Sequence, residues 1–143
     1  MEIELPDAIK KQLCVIDQSM AYILLVIGAV ILSYYSVSIQ RKQLICSVTQ
    51  DECCKCLPDI FPIKCTSSIM IIISVCFFFN IAKENCEQQQ TDPAICNSAE
   101  INYGASLFVL IAAAMRFYDL IKVESSKLPE QVKTAEESND AIL

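Results

Sequence analysis

Three uncharged apolar runs, Ala21 to Ile39, Cys65 to Ala82 and Tyr103 to Met115, organise this chain of 143 residues. A helix rises ~1.5 Å per residue, so roughly 20 mostly apolar residues cover the ~30 Å hydrocarbon core of a bilayer. The first run has 19 residues without a charge and the second has 18. The third has only 13 before Arg116, and it reaches crossing length by continuing to Ile121, past Arg116 and Asp119. These runs set the solvent before any chemistry is considered. They predict an all-α integral membrane protein with transmembrane helices at about 21–39, 65–82 and 103–121, forming one membrane domain over 1–143.

The rest of the composition agrees with that reading. Hydrophobic residues make up 54% of the chain and mean hydropathy is +0.43, above an ordinary soluble domain. The polar ends and connections are too short to build cores of their own. All five tyrosines, Tyr22, Tyr34, Tyr35, Tyr103 and Tyr118, lie in or at the ends of apolar runs, where amphipathic rings favour the interface. Net charge is −6, which argues against a general nucleic-acid surface.

Histidine is absent. No Ser–His or Cys–His catalytic pair and no His-ligated metal or haem can therefore form. With only Gly28 and Gly104, a glycine-rich phosphate loop is also excluded. These exclusions favour action through binding over catalysis.

The stretch from Pro6 to about Val48 reads as one long helix. Pro6 loses nothing at a helix start, and Asp7 places a negative charge in the positive first turn. Ile9, Leu13, Ile16 and Met20 share one face, so the segment before the first crossing is an amphipathic extension that could lie at the membrane surface. Twenty mostly polar residues precede the run and no Ala-x-Ala site follows it, so the segment is expected to be a retained anchor. No lipidation box stands at either end of the sequence.

Within the first crossing, Gly28, Ala29, Ser33 and Ser36 form an edge of small residues, which lets another helix approach closely. Arg116 and Asp119, three apart, can share one helical face and are expected as an intramembrane charged pair. Pro58 and Pro62 interrupt the connection from Gln40 to Lys64. The second connection is expected from Lys83 to about Asn102. Residues 124–143 are polar and predict a disordered tail.

Nine cysteines are unevenly spread. Cys14 and Cys76 lie in helical segments and read as small hydrophobes. Cys53 and Cys56 form a C-x-x-C which, with Cys46 and Cys65, could supply four thiolates to zinc, and Lys55 would favour the thiolate form. The same loop could instead carry palmitoyl groups or plain thiols. Cys86 and Cys96 flank Asp92-Pro93 and are a candidate disulfide.

Three crossings put Lys10, Lys11 and Lys83 on one side. Arg41, Lys42, Lys55, Lys64, Lys122, Lys127 and Lys133 fall on the other, with Arg116 just inside. The positive-inside rule then places the N-terminus outside, and the 40–64 loop and C-terminal tail in the cytoplasm. The expected role is an accessory, regulatory or structural subunit whose partners are the lipid bilayer, another copy or a larger membrane protein. A metal- or thiol-binding protein using the 46–65 loop is one alternative, and a membrane thiol–disulfide oxidoreductase is another.

Overall fold

The computed structural model describes the backbone of residues 6–49, 56–88 and 93–140, and the side chains of 6–49, 56–88 and 97–127. The architecture is all-helical. Helix α1 spans Asp7–Thr49, α2 spans Phe61–Gln88 and α3 spans Pro93–Asp140. Three segments are long and apolar enough to cross a bilayer: Asp7–Thr49, Phe61–Gln88 and Asn97–Lys127.

Local chemistry sets the helix starts. The Pro6 carbonyl accepts from the N–H groups of Ile9 and Lys10 at 2.9 and 3.1 Å, closing the first turn of α1. At the start of α2, Asp59 Oδ1 accepts the Phe61 N–H at 3.1 Å, and Pro62 falls in the first turn, where no helix partner awaits its nitrogen. Pro93 opens α3 with its φ already set for a helix.

One expected boundary shifts. The connection expected over Lys83 to Asn102 is mostly helical, because α2 runs to Gln88 and α3 begins at Pro93. Lys, Glu and Gln are good helix formers, so polarity here marks where the chain leaves the membrane rather than where its helices end. The backbone of α3 is helical to Asp140. Pro129 lacks the N–H that would bond back to Ser125, so that turn is weaker than its neighbours.

Among the described residues, α2 packs against both α1 and α3, while the backbones of α1 and α3 do not come within 8 Å of each other. The α1–α2 pair is antiparallel. Tyr22 stacks on Phe77 with ring centroids 3.9 Å apart, Gly28 lies against Met70, and Ser33 meets Ser67. On the other side of α2, Phe79 lies 5.2 Å from the ring of Tyr103.

Packing uses small side chains. The buried residues are Ala29, Ser36, Ile39, Ser67, Ser74, Ala82 and Ala99 among those described. Large apolar residues point outward instead, including Leu24 at 67% exposure and Phe108 at 75%. In water such a surface would be an aggregation hazard. In lipid it is the expected exterior, and close helix approach through small residues supplies the cohesion.

Candidate functional site: an intramembrane groove over α2

The α1–α2 contact is built around a hydrogen-bond relay. Ser67 Oγ donates to the Ala29 carbonyl at 2.8 Å, and Ser33 Oγ lies 2.6 Å from Ser67 Oγ. A serine hydroxyl carries one proton. Because Ser67 gives its own to Ala29, Ser33 is the donor to Ser67. The Ala29 carbonyl thus uses a second lone pair between helices, and Ser67, 3% exposed, is fully satisfied.

Ser36, one turn along α1 from Ser33, differs. It is 1% exposed, and its Oγ is buried with no hydrogen-bond partner. Ser74, equally buried in α2, satisfies itself on the Met70 carbonyl at 2.8 Å. An unpaired buried hydroxyl costs about 1–3 kcal/mol, so Ser36 stands out among the buried serines.

Ser36 is among the residues lining a groove of about 590 Å³. The backbones of α1 and α3 stay apart, so α2 forms its floor and they form its walls. Ser33, Ser36, Val37 and Gln40 line one side; Lys64, Ser67, Ser68 and Ile71 line the floor. Ala112, Ala113, Arg116 and Asp119 line the far side, with Val109, Leu120 and Val123. All the charged and amide groups lie toward the end where α1 finishes and α2 begins. The opposite end, at Ile71 and Val109, is apolar.

The residues singled out in the sequence fall as follows. Gly28, Ala29, Ser33 and Ser36 all lie on the face of α1 nearest α2 or the groove. Arg116 and Asp119 both line the groove, but they do not form the expected ion pair. The described ion pairs are Asp7–Lys10 and Glu124–Lys127, both on exposed surface. Both residues are exposed and line the groove, and the three-residue spacing is not used for a mutual ion pair.

Of the four cysteines proposed for zinc, Cys53 lies outside the described residues. Cys46 is disulfide-bonded and so presents no thiolate. Cys56 and Cys65 are free, and no group of three potential ligands converges among the described residues. Cys86 is a free, half-buried thiol near the end of α2, so the pairing expected with Cys96 is absent. The side chain of Cys96 lies outside the described set.

Sequence reading missed the serines of α2. Ser67 and Ser74 are seven residues apart and both are buried, a spacing that returns to nearly the same helix face. That repeat of small residues was the available signal, masked by the Ile and Phe around it.

Compared with protein-family models, curated proteins and solved structures, the chain matches none. What the fold itself supports is a class: three long apolar helices that fit an integral membrane protein.

Proposed function

We propose that this chain is an accessory or structural subunit of a membrane assembly, acting through helix–helix contacts rather than catalysis. The observation that carries the reading is the open arrangement of the helices. Among the described residues, α2 has a helix on each flank, but the backbones of α1 and α3 approach only α2. Their remaining faces present large side chains such as Leu24, Tyr34 and Phe108. Another copy or a larger membrane protein packing on these faces would complete a bundle.

The proposed orientation places the N-terminus and the α2–α3 connection outside, and the α1–α2 connection and the end of α3 in the cytoplasm. Three basic residues against eight, counting Arg116, support it. The disulfide at Cys46 pulls the other way, because disulfides persist mainly outside the reducing cytosol. Thiol labelling, set out below, separates these two arguments.

Site-directed crosslinking in native membranes tests the assembly role. Cysteine placed at Leu24 or Phe108 should give a discrete crosslinked species, and the same species should be lost on changing nearby outward residues to bulkier ones. A chain that crosslinks to nothing from either face and remains monomeric in mild detergent overturns the proposal.

A further inference from the structure

We propose that the groove between α1 and α3 binds one anionic phospholipid in the leaflet on the α1–α2 connection side. This goes beyond the assembly role and does not depend on it. Three features of the groove converge on that ligand.

The first is its polarity gradient along the membrane normal. Gln40, Lys64 and Val123 lie at the mouth. Arg116 and Asp119 come next, and Ile71 and Val109 lie deepest. A polar head at the mouth and an acyl chain running inward match this order. A soluble ion has no use for the apolar end.

The second is charge. Lys64 and Arg116 both face the groove, and neither has a carboxylate partner among the described residues. Unpaired cations at this depth are stabilised by a phosphate, as basic pockets between transmembrane helices are by lipid headgroups. Asp119 also lines the groove and reduces its net charge to +1. In the order along the groove it falls between Arg116 and Lys64, where its carboxylate can accept from a hydroxyl of the headgroup. The ligand is therefore an anionic phospholipid with a hydroxylated head.

The third is Ser36. Ser36 lines the groove, and its buried Oγ has no protein partner. A change of its side-chain rotamer would let it donate to a phosphate or ester oxygen held there. Ser33 and Ser67 satisfy each other and need nothing from a ligand. About 590 Å³ is room for a headgroup and the start of an acyl chain, with the rest of the lipid left in the bilayer, and it is far less than a transmembrane helix occupies.

The test uses the full chain, delipidated in mild detergent and read by native mass spectrometry. It is titrated with phosphatidylglycerol, with phosphatidylcholine of the same chains, and with soluble glycerol phosphate. One phosphatidylglycerol should bind per chain, at least tenfold tighter than phosphatidylcholine, and glycerol phosphate at comparable concentration should not displace it. Lys64→Gln with Arg116→Gln should weaken it tenfold or more, and Ser36→Ala about threefold. Ala113→Phe, which fills the groove, should abolish the adduct. Lys64→Arg and Arg116→Lys should retain binding, which separates lost charge from lost fold, and circular dichroism checks helicity throughout.

Equal binding of the two lipids, or binding unaffected by the Gln and Phe variants, means annular lipid only and overturns the proposal. Full displacement by glycerol phosphate also overturns it, in favour of a soluble-anion site. If Ala113→Phe breaks a dimer without changing the lipid count, the occupant is a helix of a second copy and the proposal fails. The crosslinking result on the outer faces is read separately from every one of these outcomes.

Discussion

Ser33 and Ser67 meet at 2.6 Å across the α1–α2 contact, and Ser67 passes the hydrogen bond on to the Ala29 carbonyl at 2.8 Å. The order of donation makes the two serines unequal. Ser67 is the junction of the relay, and Ser33 is its end.

Ser67→Ala should therefore cost more than Ser33→Ala. Interhelical hydrogen bonds in membranes average about 0.6 kcal/mol and reach about 1.7. Ser67→Ala, which removes two bonds, belongs toward the upper figure, and Ser33→Ala toward the lower. Denaturation in mixed micelles, arranged as a double-mutant cycle, measures both. Equal and additive costs would show that the relay does not exist.

Gly28 offers a second test of the same contact. A Cβ there would lie 3.2 Å from Met70 Cε, the mobile end of a flexible side chain. Gly28→Ala should change stability by less than about 1 kcal/mol, since Met70 can give way and alanine favours the helix. Gly28→Leu should cost about 1–3 kcal/mol by overpacking. Met70→Ala in the Gly28→Leu background should recover part of that loss, and failure to recover it would place the strain elsewhere.

For Ser36 the expected sign is reversed. Removing an unsatisfied buried hydroxyl relieves its desolvation cost, so Ser36→Ala should leave delipidated protein as stable as before or up to about 1 kcal/mol more stable. The corresponding change at Ser67 destabilises. Thermal melts of the two variants, side by side in lipid-free detergent, check the contrast. A Ser36→Ala variant that melts well below the parent would mean that this hydroxyl has a partner.

Cys14 and Cys56 report orientation without new chemistry, because both are free and exposed and lie on opposite sides of the first crossing. In variants retaining one of the two and no other cysteine, an impermeant maleimide on intact cells should label Cys14 and spare Cys56. The opposite pattern would invert the proposed topology and agree with the disulfide at Cys46.

Much of the helical frame was legible because lipid imposes a simple code. Pro6 to about Val48 was readable as one helix, and α1 spans Asp7–Thr49. An uncharged run flanked by good helix formers leaves the backbone few choices in a bilayer. The ends of α2 and α3 were less legible, because the change from apolar to polar sequence at Lys83 marks a change of solvent and not a helix end. The groove could not be read at all. It arises from the separation of the α1 and α3 backbones across α2, which is a relation among three elements, and no spacing within one helix encodes it. Arg116 and Asp119 illustrate the difficulty: their spacing permits a pair, but the direction of each side chain depends on where α2 lies.

The central place of α2 also bears on how the molecule forms. The chain amounts to two helical hairpins sharing one limb, α1 with α2 and α2 with α3. Each closes through neighbours in sequence, so neither waits for a distant contact. During synthesis the first hairpin, with its serine relay, precedes α3 and can close before it emerges. A lesion in α1 or α3 then disables one closure and leaves the other able to form. A lesion in α2 disables both.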